Sequence, residues 1–378
     1  MRHFALAFSI FAAPALAADP AKFERIVIDA DFPGAYQVEV ADVDGDGKPD
    51  IVALGGATCA WYQNPTWKKR LITSGKQTPG IITSATADLD GDGRAEVAIG
   101  YEFEMNEPSR GKLLLASMGK TLDDPWTLKP LADVPSIHRL RWARPDRDPR
   151  PRGLVVAPLF GARSQPPTYD QDLAHLVVLS FDREHAKAGG WTRHLIAERP
   201  VLHAIEVDGP LVRTADNLGV GLYPIFDAAP PAAAPILAGA RGPAPRRGCS
   251  EVHVGKLAGR GFVATIDPWH GSEVAVSTLD PEPRRTVLDD TLDLGHALWV
   301  TDVDGDGNDE IFAGHRGKGH RVSIYDYNGK SWDRTILDEA IAAQDLRGGD
   351  LDGDGVPDVV AVGGSTHNVI WYRPIRVK

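Results

Sequence analysis

A chain of 378 residues, 43% hydrophobic and 25% charged, has ample material for a folded core and is unlike disordered or collagen-like sequences. The formal net charge of −11, with a pI near 5.5 and no run of Lys or Arg, argues against a nucleic-acid partner, which would want a basic face. Small molecules and divalent cations are the partners to expect.

Met1-Arg2-His3 is a short basic start, Phe4 to Leu16 is almost wholly apolar, and Ala15-Leu16-Ala17 has the form of an A-x-A cleavage site. Residues 1–17 therefore read as a signal peptide, and residues 18–378 as one domain exported to the periplasm or the exterior. The apolar run is too short to span a bilayer comfortably, and no later stretch invites membrane insertion. The two cysteines, Cys59 and Cys249, fall on well-separated repeats, so no bridge between them is expected.

The mature chain opens with Phe23-Glu24-Arg25-Ile26-Val27-Ile28, an aromatic followed by alternating charged and apolar residues, which predicts a half-exposed strand. The same signature returns at Trp67, Trp126, Trp191 and Trp332. Between these signatures lies Asp42-Val43-Asp44-Gly45-Asp46-Gly47-Lys48-Pro49-Asp50, repeated at Asp88 to Glu96, Asp302 to Glu310 and Asp350 to Asp358, each time followed by an apolar β-rich run. The separations, 46 residues from 42 to 88 and 48 from 302 to 350, suit one four-stranded propeller blade. From 97 to 301 the acidic turn is missing but its frame persists: at Arg141 to Asp146, at Val254 to Val263, and most weakly at His203 to Asp208. Inner strands then start near residues 35, 81, 137, 202, 250, 295 and 343. The sequence thus predicts an all-β, seven-bladed propeller whose N-terminal strand completes the last blade, so that the ring closes without exposed edges.

In each intact turn, carboxylates stand at positions 1, 3, 5 and 9: Asp42, Asp44, Asp46 and Asp50; Asp88, Asp90, Asp92 and Glu96; Asp302, Asp304, Asp306 and Glu310; Asp350, Asp352, Asp354 and Asp358. Glycines at positions 4 and 6 let the backbone fold around a hard cation, and calcium suits such an oxygen cage. An EF-hand would carry a bidentate Glu at position 12, where these turns have Ala53, Ile99, Ala313 and Ala361 inside strands. Structural calcium sites on the bottom face are the expectation.

At the opposite end of the inner strands, six residues before the first turn position, stand Tyr36, Ile82, His138, His296 and Gln344, with His203 at a comparable place. Three imidazoles at one level of converging strands offer a zinc site with an open position, so His138, His203 and His296 are the predicted zinc ligands. A polar channel lining is the plainer reading of the same residues. The fifth blade contributes Ser250 or Glu251 at this level. Top loops add Trp269, His270, His315, Arg316 and Tyr101, of which Trp269, Arg316 and Tyr101, with Gln344, are candidate substrate contacts.

Ser136-Ile137-His138-Arg139-Leu140-Arg141-Trp142, Pro268-Trp269-His270-Gly271, Gly295-His296-Ala297-Leu298 and Ala342-Ala343-Gln344 running to Gly363-Gly364-Ser365-Thr366-His367-Asn368 resemble the propeller domain of the aldos-2-ulose dehydratases (1,5-anhydro-D-fructose dehydratases), within the wider FG-GAP/VCBS repeat class. The resemblance covers nearly the whole mature chain, its acidic repeats being generic and its His motifs more telling. It implies a seven-bladed propeller with zinc at the bottom of the central cleft and loss of water from a ketosugar. The cupin domains of the fungal enzymes, linked with a later isomerisation, have no counterpart here, so only the dehydration carries over.

In this reading zinc polarises a sugar ketone and acidifies the neighbouring C–H. His270, or else Glu251 or His315, takes the proton, and the β-hydroxyl leaves as water. Two other readings compete: a non-enzymatic calcium-stabilised carbohydrate- or protein-binding propeller, and a polysaccharide lyase with an open groove.

Overall fold

Every acidic turn, and every eroded counterpart, joins two antiparallel strands, and each such pair grows outward into a four-stranded sheet. The computed structural model describes residues 22–145, 150–182, 190–227, 235–279 and 282–375. The signal-peptide reading of residues 1–17 and the eroded ligand Asp146 lie outside the described residues. Seven such sheets form a seven-bladed β-propeller. Its innermost strands are Ala35–Ala41, Thr83–Ala87, Ile137–Ala143, Ala204–Asp208, Glu251–Leu257, Gly295–Thr301 and Ala343–Gly349, in blades 1 to 7.

Ring closure follows the predicted route. Lys22–Asp29 pairs antiparallel with Asn368–Ile375, Lys22 opposite Ile375, so the first strand is the outer strand of blade 7. The only helix among the described residues is one 3-10 turn, Gly75–Gln77, and no helix is long and apolar enough to cross a membrane.

The core is divided among the blade interfaces because each sheet, apolar on both faces of its inner three strands, buries those faces against its neighbours. Leu113, Leu115, Leu140, Leu154 and Val156 fill the space between blades 2 and 3, and equivalent clusters fill the other six interfaces. Each fully buried Leu or Val contributes about 1.5–3 kcal/mol. Cys59 belongs to the cluster between blades 1 and 2 and Cys249 to that between blades 4 and 5; both are buried free thiols.

One irregularity positions the site. In blades 1, 3, 6 and 7 the pairing of the inner strand slips by one residue at its start, between Ala35 and Gln37, Ile137 and Arg139, Gly295 and Ala297, and Ala343 and Asp345. The residues left unpaired in these β-bulges are Tyr36, His138, His296 and Gln344. A bulge re-aims a side chain that the regular pleat would send elsewhere.

Candidate functional site

His138 Nδ1 donates to the His203 carbonyl at 2.9 Å, His203 Nδ1 to the Ser250 carbonyl at 2.8 Å, and His296 Nδ1 to the Gln344 carbonyl at 2.6 Å. Each imidazole thus reaches the next blade's equivalent residue. A carbonyl oxygen only accepts, so the proton sits on Nδ1 and Nε2 presents a lone pair. Burial, reinforced by Arg139, Arg316 and the neighbouring imidazoles, holds His138, His203 and His296 well below the ordinary histidine range and therefore neutral.

His270 completes the group from a top loop. Its backbone is left-handed, φ 46°, with its N–H on Ser250 Oγ at 3.2 Å. Its Nε2 lies 3.0 Å from His203 Nε2, and nitrogens of His203, His270 and His296 all fall within 4.8 Å of one another. The metal-competent trio in the geometry is therefore His203, His270 and His296. His138 stands beside it, its ring 4.8 Å from that of His203, but its Nε2 receives Arg139 Nη1 at 3.1 Å and faces Tyr36 Oη at 3.0 Å. The Tyr36 hydroxyl is also 3.4 Å from His296 Nε2, so its single proton is shared between two lone pairs.

Trp269 is 5% exposed and packs with Phe160, Tyr169 and Val201, its ring 5.0 Å from His270. It is placed to hold His270 rather than to meet a ligand. Tyr101 rests against the apolar cluster between blades 1 and 2. His315, buried, is tied at Nδ1 to the Asp293 carbonyl at 3.1 Å and is not brought into the imidazole group. Arg316 and Gln344 are brought in: Arg316 Nη1 donates to Gln344 Oε1 at 2.7 Å, and Nη2 lies 3.4 Å from both nitrogens of His270.

Below the imidazoles, Glu251 Oε1 stands 3.1 Å from His203 Nδ1 and 3.6 Å from Arg139 Nη2, with no well-aligned hydrogen bond of its own. Burial pushes its carboxyl up to about 7 against the pull of Arg139, and Asp345 is pushed up to about 7 for the same reason. A further charged layer, Glu39, Arg141, Glu206, His253 and Arg347 with Trp299, lines a cavity of about 290 Å³. Sequence reasoning missed this layer. Its signal was present, since these residues stand three positions after Tyr36, His138, His203, Ser250, Gln344 and His296 respectively.

The four acidic turns share one geometry. The position-1 carboxylates of Asp42, Asp88, Asp302 and Asp350 each accept from both turn glycines, as in Gly45 N–H at 2.8 Å and Gly47 N–H at 2.9 Å on Asp42. Gly45 and Gly47 need their φ of 79° and 84°, which side-chain-bearing residues seldom adopt. Oxygens converge within 4.8 Å from Asp42, Asp44 and Asp50, from Asp88, Asp90 and Glu96, from Asp302, Asp304 and Asp306, and from Asp350, Asp352 and Asp358. Asp46, Asp92 and Asp354 stand outside these groups; the Oδ1 atoms of all three, like that of Asp306, accept backbone N–H groups two residues on. Glu310 also stands outside its group; it accepts from Val303 N–H at 2.8 Å, and its other oxygen is buried and unpartnered.

A family model described as FG-GAP-like repeat matches residues 42–99 and 302–361, the two pairs of acidic blades. No curated protein sequence matches the chain significantly. Among solved structures the chain is similar to one in a Mitotic Checkpoint Complex (12% identity, TM-score 0.56, covering 98% of this chain and 100% of that one). It is similar also to the Cps50 (Swd1) β-propeller domain of Myceliophteria thermophila (9%, 0.56, 93% and 99%). A third is a candidate 6-phosphogluconolactonase from Bacteroides uniformis ATCC 8492 (13%, 0.51, 89% and 90%). At such identities the likeness is one of fold.

Proposed function

We propose that the funnel is the active site of a zinc-assisted hydro-lyase acting on a small ketosugar of the 1,5-anhydrofructose or aldos-2-ulose type. The observation that carries this reading is the pair His203 Nε2 and His270 Nε2, 3.0 Å apart, with His296 completing three nitrogens within 4.8 Å. Two nitrogens this close require a proton or a cation between them. Three neutral imidazoles, two with Nδ1 fixed on main-chain carbonyls, are the donor set that a catalytic zinc takes with a position left for substrate. When bound there, zinc supplies Lewis-acid polarisation of the substrate carbonyl.

The remaining steps belong to the chain. His138, with its Nδ1 proton spent on the His203 carbonyl, takes the C–H proton on Nε2, and Tyr36, 3.0 Å away, gives its hydroxyl proton to the departing hydroxide, which leaves as water. Transfer from His138 back to the Tyr36 oxygen restores both groups, so the pair ends as it began. His270, a base in the sequence reading, is a ligand in this one. Trp269 and the apolar cluster beneath it fix the His270 loop, and the Ser250 carbonyl fixes the Nδ1 tautomer of His203.

Four structural calcium sites in the acidic turns, and export of the mature chain, complete the proposal. Purified protein with one zinc per chain should generate the ultraviolet absorbance of an enone from 1,5-anhydrofructose. Full zinc occupancy with no absorbance change across a panel of ketosugars would sink the lyase reading and favour the binding-module alternative.

A further inference from the structure

Arg316 is a half-buried guanidinium whose partners among the described residues are all neutral. Its Nη1 is held by the Gln344 carboxamide at 2.7 Å and its Nη2 lies against the His270 ring at 3.4 Å, with no carboxylate within ion-pair distance. Arg246, on the other side of the same loop, donates to the His270 carbonyl at 2.9 Å and likewise forms no ion pair there. Other guanidiniums of the chain meet a carboxylate directly: Arg199 with Asp216 at 2.7 Å, Arg285 with Asp267 at 2.7 Å, Arg25 with Asp338 at 2.7 Å. In a protein with 52 acidic residues and a charge of −11, a half-buried Arg316 with no carboxylate in direct contact among the described residues is a local reversal of sign, and the exposed Arg246 adds a second positive charge beside it. A desolvated charge is costly unless an opposite charge meets it.

We infer that Arg316 receives a carboxylate of the substrate, and that the substrate class is a keto sugar acid with its carboxylate adjacent to the reacting carbonyl. This rests on the lyase reading of the funnel and replaces its neutral ketosugar by one that carries a carboxylate. The placement argues for adjacency, because the Arg316 Nη2 that would hold the carboxylate lies 3.4 Å from His270 Nε2, one of the three nitrogens around the carbonyl-binding position. The planar fork of a guanidinium matches a carboxylate through two parallel hydrogen bonds, whereas a phosphate ester would sit at the far end of the sugar. Gln344 orients the fork while contributing no charge.

The test uses three ligands titrated by calorimetry into the zinc-loaded full chain: 2-keto-D-gluconate, D-fructose, which has CH₂OH in place of the carboxylate, and fructose 6-phosphate. The keto acid should bind roughly 10- to 100-fold more tightly than fructose, the range of a charge-assisted hydrogen-bond pair. R316Q should erase that preference and R316K should keep part of it, with zinc content unchanged in both. Equal affinity for keto acid and fructose, a preference that survives in R316Q, or equally tight binding of the phosphate ester each overturns the assignment. Preferential binding of the keto acid without turnover of any ligand leaves it standing and removes the lyase reading instead. Dehydration of neutral ketosugars, with R316Q indifferent to the carboxylate, does the reverse.

Discussion

Blades 6, 7, 1 and 2 and blades 3, 4 and 5 share one four-stranded plan, yet they are held together differently. The first group keeps the acidic turns, and two of its junctions, with the one where blade 5 meets blade 6, carry a lock in which an Asp ending one outer strand meets a Tyr hydroxyl and a basic side chain of the next blade. These locks are Asp29 with Tyr62 and Lys69, Asp289 with Tyr325 and Arg334, and Asp338 with Tyr372 and Arg25. In the second group two turns shrink to hairpins: Asp208 pairs with Leu211 and Leu257 with Arg260, so no cation is needed to hold them. Blades 3 to 6 supply the four histidines. The imidazoles thus gather mostly where the acidic turns are missing, and only blade 6 carries both an acidic turn and one of the four.

The largest expected effect comes from breaking the funnel side. His203→Ala, His270→Ala and His296→Ala should each lower zinc well below one per chain and abolish dehydration, read by elemental analysis and by enone absorbance. His138→Ala should keep its zinc and lose about 10²–10⁴-fold in rate, the usual contribution of a positioned proton-transfer group. Loss of zinc in His138→Ala together with retention in His270→Ala would exchange their roles.

That exchange is where the sequence was least legible. Counting along the repeats located the inner-strand starts, the closing strand and the level of the histidines, because strand pairing and turn chemistry are local and periodic. It could not show that Arg139, next to His138, turns its guanidinium back onto His138 Nε2 at 3.1 Å. Nor could it show that His270 enters on a left-handed backbone fixed by Ser250 and by the burial of Trp269 against Phe160. Both depend on partners from other blades, Glu251 and Tyr36 around Arg139 and Phe160 against Trp269, and such contacts leave no periodic trace.

The acidic side should break next. Calcium chelation is expected to lower the Tm, and Asp44→Ala or Asp304→Ala to reproduce part of that loss with turnover per folded molecule unchanged. Chelated protein carries a further signature, because burial pushes the position-9 carboxyls up, Asp50 to about 7, Asp358 to about 6 and Glu310 to about 9. An acid whose folded pKa exceeds its unfolded value of about 4 holds a proton that the unfolded chain has released, so stability falls as pH rises through that interval. Melting curves in chelator should therefore drop from pH 5 to pH 8, and excess calcium should flatten the trend. A Tm indifferent to chelator at every pH would show that the turns hold no cation.

The locks should give a smaller loss. Asp289→Asn leaves the Tyr325 hydroxyl and the Arg334 guanidinium facing a neutral amide, and the cost is about 1–3 kcal/mol. The carboxyl is held well below the usual range, by hydrogen bonds from Thr291, Arg334 and Tyr325 that outweigh burial, so its contribution is present above the unfolded pKa and lost as pH falls. Denaturant unfolding at pH 7 and pH 3 checks both statements: the gap between wild type and Asp289→Asn should narrow at pH 3 without closing, because pH 3 lies below the unfolded pKa but above the folded one.

The smallest effect, and the only stabilising one, belongs to the hairpin that replaces an acidic turn in blade 5. Ala258 and Gly259 occupy its two central positions with φ of 50° and 74°, the pair of positive values that a two-residue turn between twisted strands requires. Glycine meets that requirement at Gly259 without strain, whereas the Cβ of Ala258 works against it. The Ala258 N–H donates to Asn308 Oδ1 at 2.7 Å, a main-chain contact that survives substitution, and the methyl group is exposed. Ala258→Gly should therefore raise stability by about 0.5–1 kcal/mol, the strain relieved exceeding the entropy added to the unfolded chain. Because this turn binds no cation, the increment should be the same in calcium and in chelator. An increment present only with calcium would mean that the blade 5 hairpin draws its order from the Asp302 turn of blade 6, through Asn308 and Asp309, and that the two halves of the ring are less independent than their turns suggest.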